Sequence, residues 1–250
     1  MELSDTQIER YARHLIMPEI DDAGQERLLS SRVLVVGAGG IGAPALIYLA
    51  AAGVGQIRLV DDDQVELSNL QRQIIHDTAL IGAPKVASAQ SRLASVNPEA
   101  TVEPIHNRLT EENAKDLFKD VDLVLDGSDS YATRCLVNAQ ANQHQVPLIS
   151  ASVARFDGQL LASRGWQSDQ PCYQCLFPEA PANPQSCAEV GVFAPLAGIM
   201  GCLAAGEVIK ALVGLPLKWG QLLLVDGKSL RFQPLMGSKR QDCPVCSRVC

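Results

Sequence analysis

VLVVGAGGIGAP, residues 33–44, carries an apolar run into a glycine-rich turn and then into residues that suit a helix. Gly37, Gly39 and Gly42 satisfy G-x-G-x-x-G, with Gly40 between them. After a strand and before a helix, such a turn lets the backbone approach an anion held at the helix N-terminus. A dinucleotide, the triphosphate of ATP and mere close packing of strand on helix all fit these glycines. The surrounding residues must decide.

Working outward, RVLVV (32–36) reads as a buried strand, 41–52 as a helix stopped by Gly53, and QIRLV (56–60) as the next strand, which makes a βαβ unit. Upstream, SDTQ (4–7) fits a capping box that opens a helix through Tyr11 and Leu15, and a second short helix covers 23–30. Downstream, the pattern predicts a helix over 85–96, a weak strand at 101–106, a buried strand at 121–126, a helix from Tyr131 to about Gln145 and a strand at 148–153. The alternation predicts an α/β fold, Rossmann-like, with an open, mostly parallel sheet and helices on both faces. From Gly158 the character changes. A strand GQLLASR, a cysteine-bearing loop through Asn183, a small-residue helix over about 192–212 and two strands, QLLLVD and SLRFQPL, lead to a polar tail.

Composition narrows the partners. At 250 residues and 47% hydrophobic content the chain can bury a full core, and one main domain is the expectation. A net charge of −7 disfavours a general nucleic-acid or anionic-membrane binder. The charged, amphipathic opening carries no secretory pattern, and no apolar run is expected to reach the ~18 residues of a membrane span. A cytoplasmic location follows as the expectation, where the eight cysteines would be reduced, metal-bound or catalytic.

Asp61 closes the second strand 19 positions after Gly42, where a dinucleotide fold places the acid that binds ribose. Alone, it favours an NAD enzyme. Asn69, Arg72 and Gln73, followed by Lys85, shift the balance, because two cations with amide donors suit a polyphosphate better than a nicotinamide ring. Asp129, just beyond the strand at 121–126, suits Mg2+ held against phosphate oxygens, although it also suits the N-cap of the following helix. Asp62 and Asp63 read as a solvated loop beside these groups, with Asp63 within reach of the nucleotide set. His14, His76, His106 and His144 show no metal spacing and read as structural.

Cys172-x-x-Cys175 and Cys243-x-x-Cys246 form two knuckle pairs that suit tetrahedral Zn2+, a structural clamp tying the tail to the body; a redox pair is the alternative. Cys187 stands outside both pairs as either a nucleophile or a spectator thiol. Cys202, in an apolar helix, is expected in the core.

GAGGIG, DDDQVELSNLQRQ, APK, DGSD, CYQC, SCAEVGVFAPLAGIMG and CPVC occur in the order of the ThiF/MoeB/HesA family, bacterial relatives of ubiquitin-activating enzymes, and the resemblance spans essentially the whole chain. It implies an adenylyltransferase that uses ATP and Mg2+ to activate the C-terminal glycine of a ubiquitin-like sulfur carrier ending in Gly-Gly, with molybdopterin-synthase activation favoured over the thiamine pathway. The implied parts are N-terminal helices over 1–30, a nucleotide-binding core over 31–155 and a carrier-binding, zinc-clamped part over 156–250. Asp61 would bind ribose and Asn69, Arg72, Gln73 and Lys85 the phosphates. Asp129 would hold Mg2+. Arg13 would reach the ATP of the partner subunit in a homodimer, and about 176–190 would cross over the carrier tail, bringing Cys187 near the acyl adenylate. Ser130 departs from the Asn that family members often carry, and without a rhodanese domain the sulfur would come from a separate donor protein.

Overall fold

The computed structural model describes residues 3–180 and 190–247. The capping box at Ser4 forms: Ser4 Oγ accepts from Gln7 N–H, and Gln7 Oε1 accepts from Ser4 N–H at 3.0 Å. It starts α1 (Asp5–Leu15), and α2 (Asp21–Ser30) follows. Then β1 (Arg32–Val36), α3 (Gly42–Ala51) and β2 (Gln56–Val60) make the βαβ unit, with Gly53 at a φ of +90° past the helix end. The order continues α4 (Lys85–Val96), β3 (Thr101–Ile105), α5 (Glu111–Leu117), β4 (Leu123–Asp126), α6 (Tyr131–His144) and β5 (Leu148–Ala154). After these come β6 (Asp157–Ser163), α7 (Tyr173–Leu176), α8 (Ala194–Val213), β7 (Gln221–Asp226) and β8 (Arg231–Met236).

One eight-stranded sheet runs β3-β2-β1-β4-β5-β6-β7-β8. The first five strands in that order pair parallel and the rest antiparallel, so the sheet is mixed but mostly parallel. β1 is the middle strand of the parallel five, and both of its faces are apolar and covered. Val33 and Val35 pack towards the cluster that includes Leu46, Leu49 and Met200 from α3 and α8. Leu34 and Val36 face Phe118, Val137 and Ala141 beside α5 and on α6. Each such large side chain, fully buried, contributes about 1.5–3 kcal/mol.

Two expectations change. Among the described residues one helix, α8, is 20 residues long and apolar enough to cross a membrane. It is a core helix: Leu196, Met200, Ala204 and Val208 are buried, and Gly201 is the small residue that lets α8 lie directly on Ile41 and Pro44. Cys202, one position further round, is exposed instead of buried, because only one stripe of α8 faces the sheet.

Candidate functional site

The chain leaves β1 towards β2 and β3 on one side of the sheet, while β4 and β5 lie on the other. Ligands of open α/β sheets bind outside the carboxyl ends of strands at such a switch point. The glycine turn sits there and divides its work. Gly37 has a φ of +97°, and a Cβ on it would stand 3.2 Å from the Gly127 carbonyl oxygen at the end of β4; one on Gly42 would collide with the Gly37 carbonyl. These two glycines are required by packing. A Cβ on Gly39 would find only Gln73 Nε2, at 3.8 Å, while Gly40 stands against Arg72 and Ala197. Both line a cavity of about 260 Å³, at the N-terminal end of α3, whose first N–H groups have no partners within the helix.

The same cavity is lined by Asp61, Asp63, Arg72, Gln73, Lys85 and Asp129. Asp61 Oδ2 accepts from Ala38 N–H at 2.7 Å, and Oδ1 from Asp63 N–H at 2.9 Å. Burial raises its pKa, and Lys85 and those two hydrogen bonds oppose the rise. Lys85 begins α4 with its side chain only 5% exposed, and Nζ reaches Asp63 Oδ2 at 2.6 Å. Arg72 is held by Nη1 donating to the Ser68 carbonyl at 3.0 Å. Asn69 does not line the cavity; it is buried, and its carbonyl accepts from the N–H groups of Arg72 and Gln73. It anchors the turn that presents them.

Asp129 is exposed at the mouth. The cap of α6 is Ser130, whose Oγ accepts from Thr133 N–H at 3.1 Å, so Asp129 is not spent on capping. Arg134, which sequence reasoning missed, lines the cavity too, with Nη2 donating to the Ser128 carbonyl at 2.9 Å. Its one signal was its place a turn inside a helix that begins at the sheet's ligand-binding edge. Arg134, Asp129 and Val153 also line a second cavity of about 240 Å³, with Tyr131, Tyr173 and Phe177 on its walls. Asp126, also missed, is wholly buried beneath this loop, where its carboxylate accepts from Ser128 N–H and the Ser150 hydroxyl. Burial pushes its pKa up, with Arg134 opposing.

Cys172, Cys175, Cys243 and Cys246 come together and all are buried. Neighbouring sulfurs lie 3.3, 3.6 and 3.9 Å apart, close to the ~3.8 Å edge of a tetrahedron with Zn–S bonds near 2.3 Å. Burial first, then the neighbouring sulfurs, raises the pKa of Cys172, a cost that a bound cation would offset. Arg240 N–H donates to Cys175 Sγ and Asn138 Nδ2 to Cys172 Sγ, which orients the ligands from outside. The set fits Zn2+, with no open position for catalysis.

Arg13 is exposed on α1 and does not line the cavity of its own chain. Cys187 and most of the expected crossover segment lie outside the described residues.

A model of the ThiF family matches residues 11–245. The chain is 44% identical over 250 residues to the SAMP-activating enzyme E1 of Haloferax volcanii, covering 98% of this chain and 91% of that one. It is 43% identical over 245 residues to the sulfur carrier protein ThiS adenylyltransferase of Escherichia coli, covering 98% and 97%. It is 41% identical over 249 residues to the molybdopterin-synthase adenylyltransferase of the same organism, covering 99% of each. Among solved structures, Escherichia coli MccB with ATP superposes with a TM-score of 0.79 at 22% identity, covering 90% of this chain and 70% of that one. That likeness speaks to the fold.

Proposed function

The chain belongs to the ThiF family, and from that premise we propose that it adenylates the C-terminal glycine of a ubiquitin-like sulfur-carrier protein. Relatives 43% and 41% identical across nearly the whole chain carry the names of sulfur-carrier and molybdopterin-synthase adenylyltransferases. The observation that carries the reading is the convergence of Asp61, Arg72, Gln73, Lys85 and Asp129 around the glycine turn, in a cavity that abuts a second one at Asp129 and Arg134. Four cations line the first cavity, Arg72, Lys85, Arg108 and Arg134, which suits a polyphosphate and disfavours a nicotinamide ring.

In this reaction an oxygen of the carrier's terminal carboxylate attacks the α-phosphorus of ATP in line. The bond from that phosphorus to the oxygen bridging it to the β-phosphorus breaks, and pyrophosphate leaves. Both reactants are anions, so the protein's work is alignment and charge neutralisation. Asp61 accepts from ribose hydroxyls, while Arg72, Gln73 and Lys85 take the phosphates, Lys85 exchanging Asp63 for a phosphate oxygen. Asp129 would hold Mg2+, which when bound neutralises phosphate charge. The second cavity receives the extended Gly-Gly tail, and its aromatic walls exclude water from the acyl adenylate.

Identities of 43% and 41% separate neither the thiamine nor the molybdopterin branch. ATP–pyrophosphate exchange with candidate carriers, added singly, tests the reaction and names the substrate. Exchange stimulated by one carrier ending in Gly-Gly is the expected result, and exchange indifferent to every carrier would sink the reading.

The exposed Arg13 is assigned to the partner's site in a homodimer. Arg13→Ala and Arg72→Ala are each expected to be nearly inactive alone. Mixed, they should recover about a quarter of wild-type exchange, since random pairing makes half the protein heterodimer and each heterodimer keeps one site with both arginines. No recovery after subunit mixing has been demonstrated by tagged pull-down would place Arg13 in cis or outside the site.

A further inference from the structure

Ala38, in the glycine turn, has both of its flanking peptide groups held by side chains. Ala38 donates its N–H to Asp61 Oδ2 at 2.7 Å, and its carbonyl oxygen lies 3.1 Å from Nε2 of His76. Nδ1 of the same ring lies 2.9 Å from Ser88 Oγ on α4. A carbonyl only accepts, so Nε2 carries the proton. Burial, with Lys85 nearby, lowers the pKa of the ring. The ring is neutral at neutral pH, and Nδ1 accepts from the Ser88 hydroxyl.

The consequence falls on the next residue. In a trans peptide the carbonyl and the following N–H point to opposite sides. With the Ala38 carbonyl turned inward to His76, the Gly39 N–H turns outward, and Gly39 lines the nucleotide cavity. Gly39 N–H has no protein acceptor among the described residues. Glycine also makes the opposite orientation of this peptide cheap, so the carbonyl anchor is what selects one of the two.

We propose that His76 is a positioning residue for nucleotide binding: its Nε2–H holds the Ala38 carbonyl so that the Gly39 N–H is presented to the phosphate chain. Asp61 holds the preceding peptide through the Ala38 N–H, so the carboxylate expected at the ribose and the N–H expected at the phosphates flank one residue. His76 itself, 7% exposed, is not among the cavity-lining residues. The assignment rests on the reading of this cavity as an ATP site.

The test compares two substitutions in the zinc-loaded protein. His76→Phe keeps a ring and removes the donor, whereas His76→Gln returns an amide N–H close to the position of Nε2. ATP dissociation constants are measured by calorimetry, and KM for ATP and for the carrier by exchange. His76→Phe is expected to weaken ATP about tenfold, the order of one buried hydrogen bond, with carrier KM unchanged, and His76→Gln to recover most of the loss. ATP affinity unchanged in His76→Phe, or an equal loss in both variants with carrier KM rising in step, would overturn the assignment. If His76→Phe does not fold, Ser88→Ala decides. It removes the donor to Nδ1 and frees the ring to take the tautomer with no proton on Nε2, so ATP should bind severalfold more weakly; unchanged affinity would overturn the assignment. A wild-type protein that binds ATP but catalyses no carrier-dependent exchange would sink the adenylation reading and leave this comparison standing.

Discussion

Lys85→Met is expected to reduce kcat/KM for ATP–pyrophosphate exchange by about a hundred- to a thousandfold, the usual loss when one preorganised charge is removed from a developing anion. Methionine nearly matches the lysine stem in length and suits a slot in which the side chain is 5% exposed, so packing is kept while the charge goes. Asp63 loses its partner but is 64% exposed, and an ion pair with one solvated member is worth about 1 kcal/mol or less. The melting temperature should therefore move little while activity collapses. Lys85→Arg should not restore the rate, because a planar guanidinium does not fill the place of a buried ammonium. Exchange within about threefold of wild type in Lys85→Met would remove Lys85 from the phosphate site.

The second large effect belongs to the four cysteines. Cys243→Ser, or prolonged chelation, is expected to release the tail beyond β8, because Cys243 and Cys246 join it to Cys172 and Cys175 on either side of the start of α7. Loss of a covalent cross-link typically costs about 2–5 kcal/mol, and a comparable loss in a chain of this size lowers Tm by the order of 10 °C. Lys239, which donates to the Gly165 and Gln167 carbonyls, should become accessible to trypsin. Tyr173 lies between the first two cysteines and lines the second cavity, so carrier KM should rise before ATP affinity changes. Protein purified without chelator and containing no zinc, or a Cys243→Ser protein as stable and protease-resistant as wild type, would contradict the clamp.

The parts of the fold read from sequence are those where local chemistry and burial agree. Apolar runs buried on both faces marked β1 and β4, and the helix at 85–96 stops before Asn97-Pro98 in the sequence and at the same place in the structure, where Asn97 is its C-cap. α5 was missed because its capping residue Thr110 pairs with Asn113, a box outside the usual Ser/Thr with Glu/Gln pattern, and its apolar content is small. The single turn of α7 is held by the cysteine cluster and has no periodicity to read.

The site was legible where spacing along the chain implies proximity across the sheet. Asp61, Lys85 and Asp129 follow or begin elements whose ends meet at the crevice. Arg134 and Asp126 were not legible in this way. One looks like any helix cation and the other like a strand terminus, and only the packing of α6 against β4 gives them shared surroundings. Asn69 is the reverse case: its residue type suggested a ligand contact, but its observed contacts build the turn beneath Arg72 and Gln73.

The most direct test of carrier adenylation is intact-mass analysis of a carrier incubated with this protein, ATP, Mg2+ and pyrophosphatase. A carrier ending in Gly-Gly should gain the mass of one adenylyl group, with pyrophosphate cleaved to phosphate and no ADP formed, and the same carrier lacking its last glycine should gain nothing. An adenylyl group on the enzyme instead of the carrier, ADP as the nucleotide product, or a carrier left unmodified by a folded, zinc-loaded, ATP-binding protein across the set of Gly-Gly carriers would contradict it.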